Sequence, residues 1–184
     1  MEIDKHWLKN AIKLPTANFD HRPVAVDISL IVIHCISLPP GQFGNDYIDQ
    51  LFCNQLHPEQ HPYFQEIYQL KVSAHVLIKR TGEITQYVAF NHRAWHAGVS
   101  EYNGRQGCND FSIGIELEGT ETTEYTKQQY QQLTELVNVL ITHYPDLTAQ
   151  NIVGHSQIAA GRKTDPGDSF NWEKLLSTLD SNKS

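Results

Sequence analysis

The sequence predicts an α/β fold: a single domain with a central mixed β-sheet flanked by helices. Three stretches carry that expectation. Ile28 to Cys35 is a β-branched run, apolar on both alternate faces, as in a central strand buried on both sides. Phe111 to Glu118 alternates strictly, with Phe111, Ile113, Ile115 and Leu117 on one face and Ser112, Gly114, Glu116 and Glu118 on the other. Tyr130, Leu133, Val137, Leu140 and Tyr144 recur at helical spacing between a Thr126 cap and Pro145, and mark the longest helix. With 184 residues, 40% hydrophobic and 19% charged, one domain over 1–184 can bury a sizeable core.

Residues 1–27, punctuated by Pro15, Asn18 and Pro23, read as an irregular N-terminal arm with room for one strand. The first central strand then ends at His34, before the loop Leu38-Pro39-Pro40-Gly41. Open sheets covered by helices place ligands at such strand ends, and that is where the zinc site predicted below would lie. Asn45 or Asp46 caps a short helix through Asn54, with Tyr47, Ile48, Leu51 and Phe52 on one side. His57-Pro58 and His61-Pro62 break the chain, and Pro62 starts a second helix carrying Phe64, Ile67 and Tyr68. Val72 to Lys79 and Glu83 to Val88 pair as a hairpin across Arg80-Thr81-Gly82. Asn91 to Gly107 reads as loop around Trp95-His96-Ala97-Gly98. Residues 170–184 read as a C-terminal helix, with Trp172, Leu175, Leu176 and Leu179 as its stripe, followed by a tail.

Composition narrows the function. The formal net charge is −7 with no basic run, so nucleic acid is excluded as a partner. The longest apolar run, Ile28 to Ile33, is too short to span a bilayer, and the first fifteen residues hold no continuous apolar segment of the signal-peptide kind. Cys35, Cys53 and Cys108 are odd in number and lack CxxC spacing, which points to a reduced, cytoplasmic chain. Cys35 and Cys53 are expected in the core, and Cys108 has no base near it in sequence that would make it a nucleophile.

The stretch Ile152 to Gly167 concentrates the chemistry. A short apolar run delivers His155 past Gly154, and Lys163, Thr164 and Asp165 precede the turn Pro166-Gly167. His155 and Asp165 suit a divalent metal, with Lys163 beside them to stabilise charge. A catalytic zinc site usually takes three protein ligands, and His34 is the best third. The competing reading of His34 is a half-buried histidine satisfied by backbone, and spacing alone does not bring the three together. Glu116 is either an exposed strand residue, as Glu118 is expected to be, or a base facing the metal. Lys163 is either a snorkelling surface lysine or an oxyanion-stabilising group. His75, a strand residue, reads as structural or as a support behind the ligands rather than as a ligand. Trp95 and His96 suit a sugar or peptide platform, or a satellite core cluster.

Several segments carry a family resemblance: Val32 to Gly41, Val72 to His75, Ala94 to Ser100, Cys108 to Gly119 and Gly161 to Gly167. Together they resemble the cytoplasmic N-acetyl-anhydromuramyl-L-alanine amidases of the AmpD type, part of a zinc amidase group that also holds peptidoglycan recognition proteins and phage lysozyme-like amidases. The resemblance runs from about His6 to Trp172. It implies one zinc ion held by His34, His155 and Asp165, with Glu116 and Lys163 as the catalytic pair. It also implies hydrolysis of the amide joining the lactyl group of anhydro-muramic acid to L-alanine, in the cytoplasm of a Gram-negative bacterium, where loss of such an enzyme can raise β-lactamase expression. Trp95 and His96 would border the substrate groove. Three positions depart from the family: Cys35 stands where asparagine is common, Lys71 where arginine is, and Gly107 replaces a further arginine that Arg105 is placed to replace. These departures bear on the peptide-stem contacts, for which a lysine lacks arginine's bidentate fork.

The reading that follows is a monomeric zinc amidase of peptidoglycan recycling acting on anhydro-muropeptides. One rival is a non-catalytic peptidoglycan-binding module, but such members typically lack the third ligand and Asp165 is present. Another is a zinc hydrolase of a different amide class, and the absence of HExxH disfavours a zincin. A closed structural metal site would need Cys-rich spacing that this chain lacks.

Overall fold

A computed structural model describes residues 1–23 and 28–180, the last of these by its backbone. The end of the expected arm, residues 24–27, and the last four residues of the expected tail lie outside the described residues. The arm is more ordered than its turn signals suggest, with four short strands: β1 (Ile3–Asp4), β2 (Trp7–Leu8), β3 (Ile12–Lys13) and β4 (Phe19–His21). The central strand β5 (Leu30–Ile36) follows, then helices α1 (Tyr47–Phe52) and α2 (Phe64–Ile67). The hairpin is shorter than read, β6 (Val76–Ile78) and β7 (Ile84–Gln86), with Gly82 at φ 87° in its turn. The segment read as loop carries β8 (His92–Ala94), β9 (Glu101–Tyr102) and β10 (Arg105–Gln106). β11 (Ser112–Glu118), α3 (Lys127–His143), β12 (Ile152–Gly154), α4 (His155–Ile158) and α5 (Trp172–Asp180) complete the order.

Six strands form one mixed sheet in the order β12-β5-β11-β6-β7-β3. β12, β5, β11 and β6 run parallel, β7 is antiparallel to β6, and β3 runs parallel to β7. Both faces are covered. On one, α3 and α5 bury Leu133, Leu136, Val137, Leu140 and Leu175 against Ile31, Ile33, Ile113, Ile115 and Leu117. On the other, α1 and α2 pack Ile48, Leu51, Phe52 and Phe64 against Leu77, while Leu30, Val32 and Val153 meet Ala97, Cys108 and Ile158. Each aliphatic side chain so buried contributes about 1.5–3 kcal/mol.

Thr126 caps α3 as expected, and does so within a capping box: its hydroxyl accepts from the Gln129 N–H at 3.1 Å, and the Gln129 side chain accepts from the Thr126 N–H at 3.0 Å. The same Gln129 amide donates to the carbonyls of Ile78 and Glu118, tying the helix start to the ends of β6 and β11. Glu118 is a correction. It is 1% exposed rather than an edge residue, and its carboxylate accepts from the Gly44 and Arg80 N–H groups. The cause is that β11 lies between two parallel neighbours and is buried along its whole length.

Candidate active site

The strand order brings together residues that are far apart in sequence. β5 sits between β12 and β11. Glu116 on β11 pairs with His34 on β5, and Gly154 on β12 pairs with Ile33, so His155 follows at the level of His34. All three thus leave neighbouring parallel strands at their carboxyl ends, the usual crevice of such sheets. Asp165 arrives on the loop after α4. That loop is held back on the helix by the Ser156 N–H donating to the Asp165 carbonyl at 2.9 Å, and by the Lys163 N–H donating to Ala159 O at 3.0 Å.

His34 Nδ1, His155 Nδ1 and Asp165 Oδ2 form a near-equilateral triangle, 3.0 Å between the nitrogens and 3.1 Å from each to the oxygen. Ligand atoms on a tetrahedral zinc lie about 3.3 Å apart. Among the described residues these three are the group of His, Cys, Asp and Glu placed to hold a metal ion, and three is the number of protein ligands that a catalytic zinc site usually takes. The outward nitrogens are engaged. His155 Nε2 donates to the Ala97 carbonyl at 3.0 Å, and His34 Nε2 lies 2.9 Å from His96 Nδ1. A carbonyl only accepts, so the His155 proton is on Nε2 and its Nδ1 turns a lone pair toward Asp165. Two acceptors in contact call for a cation between them, and this donor set fits one.

Burial pulls the His34 imidazole down to about 4 despite the opposing Asp165 carboxylate, so the ring is neutral at pH 7. Glu116 behaves in the opposite way. Burial and the neighbouring Asp165 charge push its carboxyl well above the ordinary value, against the pull of Lys163, and Oε2 is buried with no hydrogen-bond partner. A carboxylate so placed is poised to take a proton. Lys163 is exposed beside it.

These residues line a cleft of about 600 Å³ together with Trp95, His96, Cys35 and Tyr63. Cys35 is half-buried at this wall and Cys53 is half-buried too, so neither lies in the core; Cys108 is the buried one. Burial pushes the Cys35 thiol up to about 12, leaving it neutral. Lys71 and Arg105, placed at the substrate by the resemblance, do not line the cleft. Lys71 is exposed on the chain before β6, and the Arg105 guanidinium covers the Phe111 ring at 3.9 Å. Among the described residues His75 is not part of the group placed to hold a metal. It is fully buried, accepts from the Gly114 N–H at Nδ1, and lies 3.1 Å from the His92 carbonyl at Nε2.

Two contributors escaped the sequence. The Ala97 carbonyl orients His155, and a backbone group leaves no compositional signal. Arg162, within the segment Gly161 to Gly167, donates to the carbonyls of Ala97 and Val99 and so fixes the loop that carries this carbonyl.

The profile of the family described as N-acetylmuramoyl-L-alanine amidase matches residues 24–168, a span that contains all five of His34, Glu116, His155, Lys163 and Asp165. The chain is similar to the 1,6-anhydro-N-acetylmuramyl-L-alanine amidase AmpD of Citrobacter freundii, 57% identical over 175 residues that cover 95% of this chain and 93% of that protein. A crystal structure of a selenomethionine AmpD derivative has 55% identity and a TM-score of 0.95, covering 97% of this chain and 99% of that one. The amidase AmiD from Escherichia coli, in complex with the substrate anhydro-N-acetylmuramic acid-L-Ala-D-γ-Glu-L-Lys, matches with a TM-score of 0.64 at 27% identity, covering 86% of this chain and 60% of that one. The sheet order, the cleft at the strand ends and a family match across nearly four-fifths of the sequence agree, and the chain belongs to the N-acetylmuramoyl-L-alanine amidase family.

Proposed function

We propose that this protein is a zinc-dependent amidase that cleaves the bond between the lactyl group of 1,6-anhydro-N-acetylmuramic acid and L-alanine, in the recycling of cell-wall fragments. The observation that carries the reading is the triangle of His34 Nδ1, His155 Nδ1 and Asp165 Oδ2 beside a buried, unpartnered Glu116 oxygen. His34, His155 and Asp165 would hold the ion. When bound, zinc supplies Lewis-acid polarisation and a water acidified to near-neutral pH. Glu116 Oε2 takes the proton of the attacking water. Lys163 Nζ faces the negative charge that grows on the carbonyl oxygen. The leaving amine of alanine is protonated from this same pair. Trp95 offers the sugar an apolar face at low entropic cost.

The anhydro-muropeptide specificity is supported by relatives at 52–57% identity whose names carry that activity. Three free thiols support a reducing compartment, here the cytoplasm. Among the described residues no helix is long and apolar enough to cross a membrane. The test is mass spectrometry of products from purified anhydro-muropeptide, with and without a chelator. Separate sugar and peptide halves should form only while metal is retained. Intact substrate in both arms, or cleavage indifferent to stripping, would overturn the reading.

A further inference from the structure

We infer that His96 is a positioning residue that sets the tautomer of His34, with Ser112 orienting it and Gly114 giving it room. The inference rests on the metal-site reading above and assigns His96 a role other than the substrate platform.

The direction of the relay starts at a backbone carbonyl. Ser112 Oγ lies 2.5 Å from Cys108 O, which can only accept, so the hydroxyl hydrogen is committed there. The same oxygen is 3.1 Å from His96 Nε2 and, with its one proton used, accepts from an Nε2–H. A neutral imidazole has one N–H, so His96 Nδ1 is an acceptor. It faces His34 Nε2 at 2.9 Å and therefore takes a hydrogen from it. His34 is thereby protonated on Nε2, and its Nδ1 lone pair is left bare where His155 Nδ1 and Asp165 Oδ2 converge. The other tautomer would aim an N–H at the ion and abolish a ligand.

The position of His96 has its own cause. A Cβ built on Gly114 would come within 2.4 Å of His96 Cγ and 2.6 Å of its Nδ1, so a side chain at 114 and this ring position exclude each other. Ser112, Gly114 and Glu116 share one face of β11, so a single strand supplies the anchor, the notch and the proposed base. No substrate hydrogen bond remains for His96, because both its nitrogens are engaged by protein.

The experiment compares the full-length wild type with His96→Phe, His96→Asn and Ser112→Ala. Phenylalanine keeps a ring in the notch without an acceptor, and asparagine restores an acceptor oxygen near the Nδ1 position. Zinc affinity is read by competition with a chromogenic chelator, and the His34 tautomer by nitrogen–proton correlation of the imidazoles in zinc-free protein. Wild-type His34 should carry its proton on Nε2. His96→Phe should bind zinc about 10- to 100-fold more weakly, the range for losing an outer partner of a metal histidine. His96→Asn should recover most of that loss, and Ser112→Ala should show mixed His96 tautomers. An Nδ1-protonated His34 in the wild type, or unweakened zinc binding in His96→Phe, would overturn the inference. If His96→Phe does not fold, the Ser112→Ala spectrum decides, and unchanged tautomers there count against it. A wild type that binds no zinc defeats the metal reading alone, since the zinc-free spectrum still tests the relay.

Discussion

His75 offers a quantitative prediction about acid stability. The ring is fully buried, its Nδ1 accepts from the Gly114 N–H, and its Nε2–H is left to the His92 carbonyl. A second proton would have to displace the Gly114 N–H, and Arg22 adds a cation 3.3 Å away. Burial first and Arg22 second pull the imidazole down to about 3, from an ordinary 6.5. The sign follows from linkage. Below pH 6.5 the unfolded chain takes a proton that the folded chain refuses, so this contribution to stability is complete above pH 6.5 and is lost as pH falls toward 3. One proton corresponds to about 1.4 kcal/mol per pH unit, hence about 2 kcal/mol lost by pH 5. The variant is His75→Asn, whose carbonyl oxygen can replace Nδ1 as acceptor but cannot titrate. Urea unfolding of metal-stripped wild type and variant from pH 7 to 4 should give a variant curve flatter by about 1.4 kcal/mol per pH unit below pH 6. The variant starts about 1 kcal/mol lower at pH 7 for the lost contact with His92 O. His34 titrates in both proteins and cancels in the comparison. Parallel curves would refute the reasoning.

Glu116→Gln should keep its fold and its zinc while turnover drops about 10²- to 10⁴-fold, and near-normal cleavage would remove Glu116 from the chemistry. Asp165→Ala should lose zinc on dialysis, as read by elemental analysis, and full retention would end its role as a ligand. Lys163 lowers the Glu116 pKa, so Lys163→Ala should shift the acid limb of kcat/KM to higher pH, because the base must be unprotonated to act. A limb that stays put would separate the two residues. Thr126→Ala should lower unfolding stability by about 1–2 kcal/mol through loss of the capping box, and an unchanged midpoint would show that the cap carries no weight.

The sheet centre was legible because its strands are long enough to show a pattern. β5 and β11 each run for seven residues, and the assignment of Ser112, Gly114, Glu116 and Glu118 to one face of β11 agrees with the side on which Glu116 meets the cleft. Alternation cannot say what covers the polar face, which is why Glu118 was expected in solvent. Strands of two or three residues, such as β3, β8, β9 and β10, are too short to show a period, so their sequences look like arm or loop. The residue types of the proposed ligand set were visible, but their convergence was not, because the order β12-β5-β11 is a tertiary fact. Lys71 and Arg105 came from resemblance alone, and no local chemistry tied them to the cleft. His96 stands out in the sequence for its ring surface, and the structure adds that both its nitrogens meet protein partners while the ring lines the cleft.

β12 is a three-residue strand at the rim of the sheet with a single strand partner, β5. It nonetheless delivers His155, and α4 and the loop beyond it deliver Asp165. Two of the three donor atoms therefore hang from the least braced strand of the parallel group, 121 residues along the chain from His34. A cation gripped there would fasten late-synthesised chain to early chain, much as a clasp closes a band, and its release would free that rim to fray.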